Sequence, residues 1–306
     1  MEKISFQADG LTVVGQVFLP QSAVRGGKLP ALVFEGPMTG LKDQVVEVYA
    51  KKLADAGFLT LTFDHRFYGE SQGEPRQFEA PGKKVEDLRD AVTYLLSRND
   101  VDPEYIGAVG ICAGGGFMAK AAALDKRIKA LATVAGFYHD PNVMKAWLGE
   151  EGYRTKVELS RAAQRKYEES GVVEYIPSIS EDPTETNVAM PGDEPYDYYG
   201  TARGFSPHYR NRFAVMSFEE FLNFNSIDFA GDIVAPTLVV HGTNDLYCTT
   251  NGAQNFYDHL QAEKRIHWIE TTNHIDLYDQ DQYVDQAVRQ IEAWFHEHLQ
   301  NTSRKV

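Results

Sequence analysis

The chain has 306 residues, 43% hydrophobic and 24% charged, enough for one large α/β domain, alone or with a sizeable insertion. Its formal net charge of −14 argues against nucleic acid and anionic membrane surfaces as partners, and no apolar run approaches the length of a membrane span. Two cysteines, Cys112 and Cys248, and an N-terminus Met1-Glu2-Lys3-Ile4-Ser5-Phe6 without a basic stretch and apolar core predict free thiols and a cytoplasmic address.

Ile4-Ser5-Phe6 and the run Leu11 to Leu19 flank the Asp9-Gly10 turn signal and predict a β-hairpin. Residues 31–35 read as a buried strand that ends in the loop Gly36-Pro37-Met38-Thr39-Gly40. A helix is expected from Asp43 to Ala56, stopped by Gly57. Phe58 to Phe63 is the next strand, and the Gly- and Pro-bearing residues 64–82 are a loop. Val85 to Ser97 carries Leu88, Ala91, Val92 and Leu95 at helical spacing. A strand at residues 106–109, a helix from Phe117 to Leu124 and a strand from Ile128 to Val134 follow.

This alternation predicts a mostly parallel sheet with helices on both faces. It breaks near residue 137, where helical pieces and acidic loops replace strand patterns up to Phe229, with an exposed loop expected from Ser180 to Glu194. It resumes with a strand from Thr237 to Val240, a helix from Ala253 to Ala262, a strand from Arg265 to Glu270 and a helix from Tyr283 to Leu299. Residues 1–136 and 231–306 are therefore expected to form one α/β core, with residues 137–230 a helical cap insertion.

The strand at residues 106–109 runs into Gly110-Ile111-Cys112-Ala113-Gly114, which opens a helix. Strand, sharp turn and helix with the form G-x-S-x-G, Ser replaced by Cys, is the nucleophile elbow of the α/β-hydrolase fold. Small flanking residues suit such a turn, because side chains at Gly110 or Gly114 would collide with neighbouring backbone. The pentapeptide alone is weak, since chance supplies one in roughly ten chains of this length, and a glycine-rich turn can bury a Cys as a plain small hydrophobe.

The partners supply the specificity. Asp245 ends the run Val239-Val240-His241-Gly242-Thr243-Asn244-Asp245, and His274 lies in Thr271-Thr272-Asn273-His274-Ile275. Either alone reads as an ordinary loop residue. Together with Cys112 they fall at strand C-terminal ends in the chain order nucleophile, acid, histidine. Cys112 is thus the expected nucleophile, His274 its base and Asp245 the acid that holds the imidazole. The oxyanion would be met by the backbone N–H of Ala113 and by that of Met38 or a neighbour, Pro37 having none to give.

Several segments resemble the dienelactone-hydrolase-related α/β-hydrolases that carry Cys in the elbow, a group that includes bacterial α/β-hydrolases and fungal polyketide transferases. They are Gly36-Pro37-Met38 with Lys42-Asp43-Gln44, Phe63-Asp64 with Gly69-Glu70-Ser71 and Gly73-Glu74-Pro75-Arg76, Gly110-Ile111-Cys112-Ala113, and Thr272 to Asp279. The group commonly has His-Pro-Met where this chain has Gly36-Pro37-Met38, and its acid loop often lacks the Gly242-x-x-Asp245 spacing found here. The resemblance implies that a glutamate at the position of Glu35 interacts with the resting thiol. The competing reading, favoured because Glu is rarely buried without a partner, turns Glu35 to solvent or pairs it with a base such as Lys42.

Tyr138 and His139 stand at the entry to the insertion, where they either line the pocket or simply begin a loop. His241 reads as a packed strand histidine and Cys248 as a bystander thiol, while Asp64 and Ser71 would stabilise their turn. No cofactor or metal is expected, because no cluster has metal spacing and no phosphate or dinucleotide loop occurs. Aromatic residues crowd the insertion, from Phe137 and Trp147 to Phe221 and Phe224, which predicts an apolar enclosed pocket for a small acyl substrate.

The sequence therefore predicts a hydrolase of a small carboxylic ester, thioester or lactone acting through a Cys-linked acyl-enzyme. The alternatives are an acyltransferase with a non-water acceptor and a hydrolase-fold binding protein with little turnover. Oligomeric state is open, a homodimer included.

Overall fold

A computed structural model describes residues 1–21 and 27–299. Ten strands and nine α-helices are found among them. The hairpin β1 (Glu2–Ala8) and β2 (Leu11–Phe18) is followed by β3 (Leu29–Glu35), α1 (Val45–Asp55), β4 (Leu59–Phe63), α2 (Pro81–Ser97), β5 (Val101–Ile111), α3 (Ala113–Leu124) and β6 (Ala130–Val134). The chain then runs through α4 (Pro141–Ser170), β7 (Tyr175–Ile176), α5 (Asp193–Tyr199), β8 (Phe213–Ala214) and α6 (Ser217–Asn223). It returns as β9 (Thr237–Gly242), α7 (Thr250–His259), β10 (Lys264–Ile269), α8 (Asp276–Asp279) and α9 (Asp281–His298).

The main sheet has the order β1-β2-β4-β3-β5-β6-β9-β10. Pairing is antiparallel for β1 with β2 and β2 with β4, and parallel from β4 to β10. Strand parity explains why the central strands read as continuous apolar runs. Ala31, Val33, Ala108, Leu131 and Val239 pack with Leu88, Val92 and Phe117 of α2 and α3 on one face. Leu32, Phe34, Val109, Ala132 and Val240 pack with Tyr49, Leu53, Ile291 and Trp294 of α1 and α9 on the other. A parallel sheet covered on both faces has no solvated side on which polar residues could alternate.

Strand order reverses between β3 and β5, since the chain moves from β3 outward to β4 and from β5 outward to β6. In open α/β sheets the crevice beyond the strand C-termini at such a reversal is where ligands bind. The loop after β3, with Met38, and the turn after β5, with Cys112, both open onto it.

The expected elements of the sheet and its covering helices are present, with shifted ends. α2 starts at Pro81, β5 starts at Val101 and pairs with Leu29 before a register shift, and the short α8 was not foreseen. Between β6 and β9 the segment is mainly helical, as its pattern suggested, but holds a two-residue ladder, β7 with β8. α4 is broken at Gly149, whose φ of 69° and ψ of 159° are not helical.

Candidate active site

Cys112 sits at φ 55° and ψ −126°, immediately before α3. Its carbonyl accepts from Gly115 N at 2.8 Å and from Phe137 N at 2.8 Å, and its N–H donates to Val134 O at 3.1 Å. The turn needs glycine on both sides. A Cβ at Gly110 would lie 2.4 Å from the Gly114 carbonyl oxygen, and one at Gly114 would lie 2.6 Å from the Glu35 carbonyl oxygen. Backbone cannot yield to such an approach as a side chain tip can, so the motif's spacing is a steric requirement of the strained apex.

Asp245, in the loop after β9, and His274, in the loop after β10, close on this apex. His274 Nδ1 lies 2.7 Å from Asp245 Oδ2. Its Nε2 faces Tyr278 Oη at 3.1 Å and Cys248 Sγ at 3.9 Å. Cys248 Sγ donates to Cys112 Sγ across 3.8 Å. The reactive atoms of Cys112, Cys248 and His274 all lie within 4.8 Å of one another, the sort of group that can hold a metal ion. Glu194 of α5 fixes the histidine loop, its Oε2 accepting from His274 N at 2.8 Å.

These neighbours separate the two thiols electrostatically. The Cys112 thiol is pushed well below its ordinary range: the hydrogen bond from Cys248 is the main cause, and His274 and Tyr278 add to it against the cost of burial. Cys248 is pushed well up by burial and by the adjacent Cys112. Burial alone would lower His274, but Asp245 and Cys112 outweigh it, and the imidazole is raised well above its ordinary value. Both shifts favour charge separation between the Cys112 sulfur and the His274 ring.

A cavity of about 500 Å³ opens over the group. Met38, Cys112, Ala113, Cys248, His274 and Tyr278 form its floor, and the segment between β6 and β9 supplies Phe137, Met144, Trp147, Met190, Phe213 and Phe221. Its lining is mainly apolar, with Cys112, His274, Glu194, Lys156, Thr186 and three tyrosines, Tyr199, Tyr247 and Tyr278, as the polar groups.

The structure brings Cys112, Asp245, His274, Ala113 and Met38 to one place. It puts Glu35, Tyr138 and His139 elsewhere. Glu35 is 2% exposed and faces His65, with which it makes a short hydrogen bond, while Lys84 Nζ lies 3.9 Å from its other oxygen. Lys42, the base considered for it, instead pairs with Asp64 at 2.7 Å and Glu70 at 2.9 Å. Tyr138 stacks on Phe256 at 4.0 Å and bonds Thr133 Oγ1 at 2.7 Å. His139 is packed among Phe117, Phe137, Phe221 and Phe224.

His241 packs in its strand and bonds the Cys248 carbonyl at 2.6 Å. Asp64 and Ser71 tie their loop together, Asp64 Oδ2 accepting from Glu70 N and Ser71 Oγ donating to Asp64 O. The sequence placed Cys248 near Asp245 but gave it no part, and it did not single out Tyr278 or Glu194. Tyr278 had only a weak local signal, a polar aromatic four residues after His274, in the short α8 that follows the histidine loop. Glu194 had none, being 80 residues away in sequence.

A doubly covered parallel sheet, a strained turn at its topological switch and a charge-paired acid, histidine and thiol define an α/β-hydrolase enzyme. The chain belongs to the Hydrolase_4 family, described as serine aminopeptidase S33, which it matches over residues 39–281. It is 31% identical to Escherichia coli protein YcjY over 97% of this chain and 99% of that one. Thiohydrolase aneE of Aspergillus aculeatus is 29% identical over 88% of this chain and 84% of its own length. Acyltransferase drtE of Aspergillus calidoustus is 27% identical over 96% and 94%. The crystal structure of Pseudomonas aeruginosa protein PA2218 superposes with a TM-score of 0.85 at 29% identity, covering 97% of this chain and 93% of that chain. The family is described by a serine, whereas the apex residue of this chain is Cys112.

Proposed function

We propose that the protein hydrolyses a small carboxylic ester, thioester or lactone through an acyl group carried on Cys112. The observation that carries this reading is the placement of His274 between Asp245 and the two sulfurs, at the bottom of an apolar cavity. Residues 137–230 act as a cap over that cavity, and the enzyme works in the cytoplasm.

The Cys112 thiolate attacks the acyl carbon. The oxyanion is met by the Ala113 N–H, an unpaired donor of the first turn of α3, and by the Met38 N–H. Collapse of the adduct forms the thioester and expels an alkoxide or thiolate, which takes its proton from His274. Now neutral, His274 removes a proton from a water that attacks the thioester. Collapse releases the acid and the Cys112 thiolate, with the imidazole protonated again. Asp245 holds the imidazole orientation throughout.

A second reading replaces water with an alcohol or amine acceptor. The similarity to an acyltransferase at 27% identity and the mainly apolar cavity favour it, since an apolar lining offers few groups to hold a competing water.

The test is intact mass spectrometry after mixing the protein with a panel of aryl esters and acyl thioesters, with and without added nucleophiles. An acyl adduct mapped to Cys112 is expected. Turnover of such substrates by a Cys112→Ala variant at the wild-type rate would refute the mechanism. Ester or amide products formed with added acceptors, in place of free acid, would select the transferase reading.

A further inference from the structure

The second thiol is unexplained by acyl chemistry. Cys248 is 2% exposed, three residues beyond Asp245, and its sulfur is directed at the nucleophile. We propose that Cys112, Cys248 and His274 form a binding site for a soft divalent cation such as Zn²⁺, and that occupancy silences the nucleophile.

The geometry fits such an ion closely. Tetrahedral zinc, with Zn–S of about 2.3 Å and Zn–N of about 2.0–2.1 Å, requires S···S of about 3.8 Å and S···N of about 3.6 Å. The two sulfurs stand 3.8 Å apart and Cys248 Sγ is 3.9 Å from His274 Nε2. The third pair lies within 4.8 Å, so closure onto the ion needs no more than roughly 1.2 Å of movement there.

The surroundings suit it as well. His274 gives its Nδ1 to Asp245, leaving Nε2 to coordinate, and a carboxylate behind a histidine is the usual second partner of a zinc ligand. Tyr278 would surrender its hydrogen bond to Nε2, and its hydroxyl would turn to the cavity that it lines. The charges balance. Two thiols and a neutral imidazole bind M²⁺ as two thiolates and an imidazole, with two protons released. The product is a neutral centre, which burial tolerates far better than a bare dication. Three protein ligands leave a fourth position facing the cavity, as in open zinc sites.

The binding itself does not depend on the hydrolase reading. Only its consequence does, because a sulfur whose lone pair is drawn to a metal is a much weaker nucleophile towards a carbonyl.

The experiment is titration of the reduced, full-length protein with Cd²⁺ and Zn²⁺. Cd²⁺ is followed by its thiolate charge-transfer absorption in the ultraviolet and Zn²⁺ by proton release in weak buffer. Only two cysteines exist in the chain, so any thiolate band comes from this pair. One ion per chain is expected, with two protons released.

Cys248→Ala should lose about half the band and bind about 10²-fold more weakly, and Asp245→Asn about 10-fold more weakly. Cys248→Ser and a thermal melt of each variant separate lost ligation from lost folding. A full band in Cys248→Ala, or no thiolate band in the wild type, would overturn the site. Hydrolysis of an aryl ester is measured in parallel. Loss of the metal-free protein's activity on Zn²⁺ addition is expected; Zn²⁺ binding to a protein with no esterase activity even when metal-free would leave the site standing and remove the functional reading. Activity without binding would do the reverse.

Discussion

Asp245 and Cys248 are tied together: the carboxylate Oδ1 accepts the Cys248 backbone N–H at 2.7 Å while Oδ2 holds His274 Nδ1 at 2.7 Å. One carboxylate thus fixes both the imidazole and the loop that delivers the second sulfur. Asp245→Asn would put an amide N–H or a poor acceptor where His274 needs an anion, and would loosen the Cys248 loop. Hydrolysis of an activated aryl ester should fall by roughly 10³- to 10⁴-fold in kcat, as expected for loss of the acid of such a triad. A loss smaller than about 10-fold would show that His274 does not depend on Asp245 for its orientation.

The two thiols should differ sharply towards iodoacetamide. Cys112 is lowered by the Cys248 hydrogen bond and by His274, while Cys248 is raised by burial and by its neighbour. Alkylation at pH 7, mapped by peptide mass, should modify Cys112 first and stoichiometrically, with Cys248 protected. In His274→Ala the Cys112 rate should drop towards that of an ordinary thiol. Equal, slow labelling of both residues would contradict an activated nucleophile.

Cys112→Ser should lose roughly 10²-fold or more in kcat/KM, although serine is the residue by which the family is described. A hydroxyl cannot rest as an anion beside an imidazolium, and the second sulfur is a poor partner for it. Serine must instead be deprotonated during attack. Esterase kinetics at pH 7 against the same aryl ester measure this, and retained full turnover would make the thiol incidental.

The gathering of Cys112, Asp245 and His274 was legible because their positions follow from topology. Cys112, Asp245 and His274 each lie just past the end of a parallel strand, and a parallel sheet gathers those ends on one edge. Glu35 was harder. It too ends a strand, but its side chain lies under the face covered by α2. There His65 and Lys84, drawn from two other elements, meet it. Nothing local in the sequence announces a contact made across three elements. The same holds for Cys248, whose meaning depends on where a loop returns.

Glu35 therefore makes a separable prediction. Glu35, Asp87 and Glu79 face His65, Arg66 and Lys84 in a buried network of three acids and three bases. Burial opposes charge on His65, but Glu35 and Asp87 outweigh it, and its pKa rises to about 9 from 6.5. A raised folded-state value contributes stability that is complete below pH 6.5 and is lost as pH climbs through about 9. Glu35→Gln removes the main anion and should cost about 3 kcal/mol at neutral pH, with a flatter alkaline limb in a plot of Tm against pH. Labelling of Cys112 by iodoacetamide should stay within a few-fold of wild type. A large loss of Cys112 reactivity, with stability unchanged, would instead place Glu35 in the thiol's service.

His139 acts on the opposite limb. It is fully buried among four phenylalanines, and neither ring nitrogen has a hydrogen-bond partner among the described residues. Burial, helped by Lys84 and Lys120, pushes its pKa down to about 3. The folded protein holds it neutral, while the unfolded chain protonates it near 6.5. The unfolded state therefore binds the extra proton between these values, and stability is lost as pH falls from about 6.5 towards 3. His139→Leu replaces the ring with an aliphatic group of similar volume and nothing to protonate. Its Tm should fall less steeply than that of wild type between pH 6.5 and 4, whatever its absolute value at neutral pH. Calorimetry across that interval decides the matter, and parallel acid limbs in the two proteins would remove His139 from the account of acid sensitivity.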